Sequence, residues 1–241
     1  MAYCFISDLH LQEKKPEVTE AFLSFLDGTA KEAQRLYILG DLFEAWIGDD
    51  LKSELSYLIK EKLLFLKNSS TLVFAMHGNR DFLIGDRFCK DTGVTLLEDP
   101  CKLDLFGRTT LLMHGDLLCT EDLEYQDFRN TSRDSKWKKE FLGKSIEERE
   151  EIAEELILES KEATNLKKQE IMDVSPKAVE EIMASHNAEL LIHGHTHRPK
   201  VHSLKINEIP AQRIVLGDWD KSAWYIWMDD KSCELKEFPI A

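Results

Sequence analysis

The stretch LYILGDLF, residues 36–43, decides the fold, because a short apolar run ends abruptly in Gly40 and Asp41. A run of this length, rich in residues that favour β-structure, predicts a buried strand. The glycine allows the chain to turn sharply behind the strand. The stretch therefore predicts a strand whose far end presents a carboxylate.

Four other apolar runs repeat this arrangement, and each leads into His, Asp, Asn or Gly. They span residues 3–6, 72–76, 110–113 and 190–192. Helix-like stretches at residues 17–34 and 51–66 separate the first three strands, and this alternation predicts a largely buried sheet with helices on its faces. Polar residues beyond the strands of such a sheet meet at one edge. We therefore expect one polar rim that collects residues distant in sequence.

Three later runs predict a second sheet. Residues 213–216, 223–228 and 234–238 favour strands, and a polar turn at residues 228–232 separates the last two. The predicted fold class is therefore α/β, with a two-sheet β-sandwich flanked by helices.

The segment from residue 121 to residue 173 breaks the pattern, because it is helix-like throughout. We interpret it as a helical insertion within a single domain spanning residues 1–241, a length suited to one compact domain. Periodicity alone supports two interpretations equally: a lid that grips a ligand, or a face that packs on the core. The apolar residues concerned are Phe128, Trp137, Phe141, Leu142, Ile152, Leu156 and Ile157.

Composition excludes several classes of protein. Apolar residues make up 43% and charged residues 32%, as in ordinary globular proteins, and a formal charge of −14 opposes a general affinity for nucleic acid. No apolar run approaches the ~18 residues that span a bilayer, and Asp8 lies too close to the start for a signal peptide, so we expect an intracellular protein. The five scattered cysteines lack a CxxC pair and predict neither a disulfide framework nor a thiolate zinc site.

Seven oxygen and nitrogen donors follow the five runs, enough to hold two divalent ions. They are Asp8, His10, Asp41, Asn79, His114, His195 and His197. This set suits manganese, iron or zinc, and Asp41 is the best candidate for a bridging ligand. Two ions ~3.5–4 Å apart polarise a phosphoryl group and supply hydroxide near neutral pH, which predicts phosphoester hydrolysis. We interpret the remaining histidines as core or surface residues: His77, His186, His193 and His202.

The motifs DLH, GD, GN, HGD and GHTH, in this order, resemble those of the calcineurin-like metallophosphoesterases. The resemblance implies two ions, usually manganese, iron or zinc, on a two-sheet sandwich, and we expect Mn²⁺ here. By its pattern one ion is held by Asp8, His10 and His197, the other by Asn79, His114 and His195, and Asp41 binds both. The resemblance assigns the catalytic roles to Asp41, Asn79, Arg80, His114 and His195.

Arg80 stands where many members of that family carry a histidine that stabilises or protonates the leaving group. A guanidinium cannot act as a general acid at neutral pH, but it can hold phosphate oxygens and neutralise developing charge. We therefore expect catalysis at this position to rely on electrostatics.

The stretches YILGDLFEAWIGDD, HGNRDFLIG, MHGDLLCTED and LIHGHTHRP are similar to one branch of the family, found in Gram-negative bacteria. That branch hydrolyses the pyrophosphate of UDP-2,3-diacylglucosamine to UMP and 2,3-diacylglucosamine 1-phosphate in lipid A biosynthesis. The resemblance implies attack on the uridine-side phosphorus and favours the lid interpretation of the insertion. It implies substrate contacts at Asn79, Arg80, Asp122, Ser160, Thr164, Lys167 and His195. Thr164 replaces a common Asn, which removes an amide from that contact.

Residues 129–144 carry a local excess of four positive charges. Basic residues near an anionic leaflet favour reversible binding, so we expect a peripheral position on the cytoplasmic face of the inner membrane. A solvated helix face is the alternative. The cations are Arg129, Arg133, Lys136, Lys138, Lys139 and Lys144.

Two other functions remain open at this point. An enzyme acting on soluble nucleotide pyrophosphates or phosphodiesters would use the same donors, but beneath a polar lid. A binding module without activity would have lost ligands, and the intact set of seven argues against it. The sequence implies neither a nucleic-acid partner nor a protein partner.

Overall fold

A computed structural model describes residues 1–166 and 173–240, with residues 161–166 described by their backbone only. The strands, in chain order, are β1 (Ala2–Ile6), β2 (Arg35–Leu39), β3 (Leu72–Met76), β4 (Thr95–Leu96), β5 (Cys101–Leu105), β6 (Arg108–Leu112), β7 (Leu190–His193), β8 (Lys200–Ile206), β9 (Ile209–Val215), β10 (Ser222–Asp229) and β11 (Cys233–Pro239). The helices are α1 (Pro16–Phe25), α2 (Glu54–Asn68), α3 (Asp86–Thr92), α4 (Leu123–Arg133), α5 (Ser135–Leu142), α6 (Ile146–Leu166) and α7 (Pro176–His186).

The strands form two mixed sheets. The first has the order β11-β10-β1-β2-β3-β4, and the second has the order β5-β6-β7-β9-β8. Strands β1 to β4 run parallel, as do β6, β7 and β9, whereas the outer pairs are antiparallel. The predicted two-sheet α/β fold is confirmed, and all five predicted runs lie in or at the end of strands. The three later runs were predicted to complete a second sheet, which is wrong for two of them: β9 lies in the second sheet, but β10 and β11 extend the first sheet because β10 pairs with β1.

Alternating side chains of the central strands face two different cores. In β1, Phe5 packs between the two sheets, while Cys4 and Ile6 pack beneath the helices on the outer face. Burial on both faces explains why the runs are continuously apolar instead of alternating. A third cluster, which includes Met183 of α7 and Leu191 of β7, covers the outer face of the second sheet.

The first predicted helix differs from the structure at its end. Helix α1 ends at Phe25, and a π-helical turn follows at Leu26–Ala30, so the predicted helix over residues 17–34 was too long. Gly28 and Thr29 lie in this turn, and both favour continuous α-helix poorly. Helix α2 begins at Glu54 with Ser53 as its N-cap, close to the predicted start.

Helices α4, α5 and α6 fill most of the segment between β6 and β7 that we predicted to be helical. Asp134 separates α4 from α5, because its extended backbone ends one helix while its carboxylate accepts hydrogen bonds from the amides of Lys136 and Trp137. Across the described residues, none of the helices combines the length and the apolar character needed to cross a bilayer.

Candidate metal centre and active site

The backbone is strained where the candidate ligands lie. Five of them have left-handed φ angles between 50° and 68°. They are Asp8, His10, Asp41, His195 and His197. A non-glycine residue costs about 1–2 kcal/mol in this region, and such strain persists only where the surrounding structure fixes it, most often at functional sites.

Two motif glycines allow the loops to approach the buried carboxylates. A Cβ at Gly78 would collide with the side chain of Asp41, and a Cβ at Gly194 would collide with Asp8. The glycines of GN and GH therefore lie directly against the two carboxylates of the site.

One group of donors combines Asp8, His10 and His197, whose donor atoms lie within 4.8 Å of one another. The Nε2 atoms of the two histidines are 3.3 Å apart, and Nε2 of His197 lies 3.6 Å from Oδ1 of Asp8. The carboxylate of Asp8 is fully buried and accepts hydrogen bonds from the Ser7 hydroxyl and the His195 amide. Two facing ring nitrogens beside a buried carboxylate fit a divalent cation.

A second group forms around Asn79. Its Oδ1 lies 2.9 Å from Nε2 of His114 and 2.9 Å from Nδ1 of His195. The other ring nitrogen of His114 lies 2.9 Å from the carbonyl of Leu39, which can only accept a hydrogen bond. In the neutral ring, Nε2 therefore keeps its lone pair and faces an acceptor oxygen, an arrangement that a metal ion satisfies.

Asp41 lies between the two groups. Its Oδ2 is 3.8 Å from Nε2 of His10 and 3.7 Å from Nε2 of His114. The other oxygen, Oδ1, accepts a hydrogen bond of 2.8 Å from the amide of Arg80. One oxygen of Asp41 thus faces both histidine groups, the geometry expected of a bridging carboxylate.

The ionisation of the histidines reflects the carboxylates around them. Burial lowers the pKa of His114, but Asp41, Asp116 and Asp8 outweigh it and raise this pKa to about 9. Burial and the neighbouring His114 lower the pKa of His195 to about 4. Burial lowers the pKa of His197, but Asp8 outweighs burial and raises this pKa to about 9. Positive charge is favoured at the centre of the site, whether a proton or a metal ion supplies it.

Asp81 holds two of the ligand loops together, a role that the sequence analysis missed. It is buried, and its carboxylate accepts hydrogen bonds from the amides of Gly78 (2.8 Å), Asp41 (3.3 Å) and Leu42 (2.8 Å). The loop after β2 is thereby tied to the loop after β3. The only sequence signal was the position of this carboxylate inside the HGNRD motif.

Asp116 plays a similar role on the other side of the site. This buried carboxylate accepts hydrogen bonds from the Tyr125 hydroxyl at 2.6 Å and from Nε of Arg129 at 2.7 Å. Burial raises its pKa, but His114, His195 and Arg129 outweigh burial and hold it well below its usual range. Helix α4 is thus fixed to the loop that carries His114.

Arg80 faces the cavity beside the donors. Its Nη2 donates a hydrogen bond of 3.3 Å to the hydroxyl of Ser160. Its buried Nε has no partner among the side chains and backbone groups that the structure describes. A donor left without a partner beside a metal centre fits an anionic ligand.

A cavity of about 790 Å³ begins at the donors and continues between helices α4 to α6 and the loops after β2 and β3. More of its lining surface is apolar than polar. The apolar lining comprises Trp46, Ile47, Phe82, Leu83, Phe128, Trp137, Phe141, Ala153, Leu156 and Ile157.

The apolar residues of the insertion divide between the cavity and the core. Phe128, Trp137, Phe141, Leu156 and Ile157 line the cavity. Phe141 also belongs to the core cluster beneath the first sheet, and Ile152 packs against that cluster. Leu142 does neither, because 42% of it is exposed.

The predicted substrate contacts fall into two groups. Asp122 and Ser160 line the cavity, and Asp122 also caps α4 by accepting a hydrogen bond from the amide of Tyr125. The side chain of Thr164 and the whole of Lys167 lie outside the described residues.

The predicted basic patch is smaller at the surface than the sequence suggests. Arg129 donates to buried Asp116, the side chain of Arg133 is 18% exposed, and Lys138 lies 5.9 Å from the centre of the Phe82 ring. Half of the predicted cations are therefore turned towards the protein. The fully exposed members are Lys136, Lys139 and Lys144.

The chain is similar to known proteins over most of its length. A family model described as calcineurin-like phosphoesterase matches residues 1–199. A curated protein of Pseudomonas entomophila, described as UDP-2,3-diacylglucosamine hydrolase, is 49% identical over 238 residues, covering 98% of each chain. A protein of Marinobacter nauticus with the same description is 48% identical over 242 residues, covering 100% of this chain and 99% of the relative. A solved archaeal phosphodiesterase covers 99% of both chains at 13% identity with a TM-score of 0.47.

Proposed function

Because the chain belongs to the calcineurin-like phosphoesterase family, we propose that it hydrolyses the pyrophosphate bond of UDP-2,3-diacylglucosamine in lipid A biosynthesis. The products are UMP and 2,3-diacylglucosamine 1-phosphate. Relatives that bear this activity in their names match the chain over nearly its full length. One observation carries the proposal: the metal-ligating rim opens directly into an apolar cavity of about 790 Å³. Phosphates and acyl chains can be held side by side there.

We assign two divalent ions, with Mn²⁺ as the best chemical fit, to the two donor groups. One site takes Asp8, His10 and His197, the other takes Asn79, His114 and His195, and Asp41 serves both. These hard and borderline donors suit manganese, iron or zinc. When bound, two ions polarise the phosphoryl group and supply hydroxide near neutral pH.

Arg80 binds the pyrophosphate in this proposal. Arg80 lines the cavity, its Nε has no partner among the described groups, and its Nη2 donates a hydrogen bond to Ser160. The leaving group is a sugar phosphate, an anion that departs without taking a proton from the protein. A general acid is therefore unnecessary, which is consistent with an arginine where other members of the family carry histidine.

The remaining substrate contacts are proposed for the sugar end. Asp122 and Ser160 line the cavity and can form hydrogen bonds with the glucosamine or its acyl amide. The carboxylate of Asp122 can accept them, and the hydroxyl of Ser160 can donate or accept them. Thr164 and Lys167 stay proposals from the resemblance alone. Helices α4 to α6 act as a lid inserted in a single domain, and their apolar side chains hold the acyl chains.

The alternative substrates are soluble nucleotide pyrophosphates, and the apolar lining of the cavity argues against them. The deciding experiment compares UMP release from UDP-2,3-diacylglucosamine and from UDP-glucose, with AMP release from ADP-ribose, by the Mn²⁺-loaded protein. We expect turnover of the acylated substrate to exceed the others by orders of magnitude. Equal rates on unacylated substrates would remove the lipid from the proposal.

We also propose reversible binding to the cytoplasmic face of the inner membrane. Lys136, Lys139 and Lys144 remain exposed on and after α5, and Leu142 is exposed among them. Exposed lysines around an apolar side chain suit an anionic lipid surface.

A further inference from the structure

Arg133, near the end of α4, is a buried cation with an unusual set of contacts. Its side chain is 18% exposed. Nη2 donates a hydrogen bond of 2.7 Å to the carbonyl of Gly78, and the guanidinium carbon lies 4.4 Å from the centre of the Phe82 ring. A carboxylate oxygen of Asp116 lies 3.9 Å from Nη2, beyond hydrogen-bond distance. A guanidinium buried with so little direct ion pairing is costly, which indicates a positional role.

The carbonyl that Arg133 holds belongs to the peptide between Gly78 and Asn79. Glycine leaves the orientation of this peptide unusually free. The structure restrains Gly78 on both sides: its amide, in the preceding peptide, donates to Asp81 at 2.8 Å, and its carbonyl, in the Gly78–Asn79 peptide, accepts from Arg133 at 2.7 Å. The side chain that follows is Asn79, whose Oδ1 must meet His114 and His195.

Arg133 also belongs to a stripe along one face of α4. Tyr125, Arg129 and Arg133 are spaced four residues apart, so their side chains point the same way. The first two bind Asp116 in the loop after β6, and the third binds Gly78 in the loop after β3. One helix face therefore spans the two loops that carry Asn79 and His114.

We propose that Arg133 is a positioning residue that fixes the Gly78–Asn79 peptide and thereby aligns Asn79 with its partner histidines. This inference rests on the metal centre of the proposed function, but not on the identity of the substrate. Only arginine meets the geometry: its planar group stacks on the Phe82 ring while an in-plane N–H donates to the carbonyl. Lysine would keep the charge and lose this orientation. Nη1 of Arg133 has no hydrogen-bond partner among the described groups. This does not argue against the positioning role, because Arg133 also lines a second cavity of about 340 Å³.

The test compares wild type, Arg133→Lys and Arg87→Lys, a matched control because Arg87 is exposed on α3. Three quantities are measured: Mn²⁺ affinity of the chelator-treated protein by calorimetry, the midpoint of thermal unfolding, and kcat and KM for bis(p-nitrophenyl) phosphate. This small diester does not need the apolar cavity. We expect Arg133→Lys to lower Mn²⁺ affinity at one site and kcat by about 10- to 100-fold, as loss of a supporting contact around metal ligands does.

A purely structural role would shift only the unfolding midpoint. Wild-type Mn²⁺ affinity and kcat in folded Arg133→Lys would overturn the proposal. If that variant fails to fold, Phe82→Leu replaces it in the test, because this change keeps the guanidinium and removes the ring beneath it. We expect Phe82→Leu to lower Mn²⁺ affinity and kcat by smaller factors. Wild-type values of both quantities would overturn the proposal. A protein that binds Mn²⁺ and cleaves the diester but not UDP-2,3-diacylglucosamine would refute the substrate assignment and leave this inference standing.

Discussion

The side-chain oxygen of Asn79 lies 2.9 Å from Nε2 of His114. The other ring nitrogen of His114, Nδ1, is hydrogen-bonded to the carbonyl of Leu39. Two acceptors facing each other repel unless a proton or a cation lies near them. The same oxygen meets His195 at the same distance. The arrangement thus explains why an amide, which carries no charge of its own, is placed among carboxylates and imidazoles at the centre of the site.

Removing Asn79 is expected to abolish turnover without unfolding the protein, because one ligand group loses its central oxygen while the surrounding loops keep their hydrogen bonds. The measurement is UMP release by Asn79→Ala, with circular dichroism to verify the fold. Asn68→Ala, at the exposed end of α2, is the matched control and should behave as wild type. Substantial turnover by Asn79→Ala, or by a chelator-treated wild-type sample, would contradict the assignment.

Metal binding should release protons near neutral pH. In the ion-free protein the pKa values of His114 and His197 are raised to about 9, so both rings are protonated at pH 7, whereas the pKa of His195 is lowered to about 4 and its ring is neutral. An imidazolium cannot be a ligand, so binding releases about two protons at pH 7. Mn²⁺ affinity therefore rises with pH and levels off above about pH 9.

Calorimetry in buffers of different ionisation enthalpy gives the number of protons released. A value near zero at pH 7, or an affinity that does not change between pH 7 and pH 9, would show that these histidines are not ligands.

Replacing Arg80 by lysine should weaken transition-state binding although the charge is retained. Lysine cannot present the forked donors of a guanidinium, and the loss of one hydrogen bond to a charged group costs about 1.5–3 kcal/mol. We expect kcat/KM for UDP-2,3-diacylglucosamine to fall about 10- to 100-fold. Metal content, measured by mass spectrometry, should stay at the wild-type value. An unchanged kcat/KM would exclude Arg80 from phosphate binding.

Narrowing the cavity should raise KM for the acylated substrate only. Ile157 lines the cavity, whereas its neighbour Leu158 is 61% exposed on the same helix. Overfilling a packed site costs about 1–3 kcal/mol, so Ile157→Trp is expected to raise KM for UDP-2,3-diacylglucosamine about 10- to 100-fold. Hydrolysis of bis(p-nitrophenyl) phosphate should be unaffected. Leu158→Trp is the matched control, and equal effects of the two substitutions would place the acyl chains elsewhere.

Reversing the exposed lysines should release the protein from anionic membranes. Each basic residue near such a surface contributes about 1 kcal/mol, so changing Lys136, Lys139 and Lys144 to Glu should abolish cosedimentation with anionic vesicles. Lys177→Glu, an equally exposed change on α7, should not. Sedimentation that survives the triple substitution would rule out this patch as the binding surface.

The strands that carry the site could be predicted from sequence because burial on both faces leaves an uninterrupted apolar signal. Leu36 to Leu39 in β2 is such a run, with no polar residue except the tyrosine hydroxyl. The outer strands give weaker signals. In β5, Lys102 and Asp104 alternate with apolar residues, and β4 has only two residues, so neither was predicted.

The candidate ligands could be predicted to lie together because each follows a strand, but the residues that orient them could not. Asp81 and Arg133 act through backbone groups of distant loops, whereas Asp116 acts through two side chains of α4, and no spacing in the sequence records these hydrogen bonds. Arg129 and Arg133 were predicted to form part of a surface patch, because charge alone does not reveal which face of α4 turns inward.

Hydrolysis of UDP-2,3-diacylglucosamine by the Mn²⁺-loaded protein in ¹⁸O-labelled water, with both products analysed by mass spectrometry, tests the central claim most directly. The proposed function predicts that UMP carries one ¹⁸O atom and that 2,3-diacylglucosamine 1-phosphate carries none, since water attacks the uridine-side phosphorus. Label in the sugar phosphate, or no metal-dependent cleavage of this substrate, would contradict it.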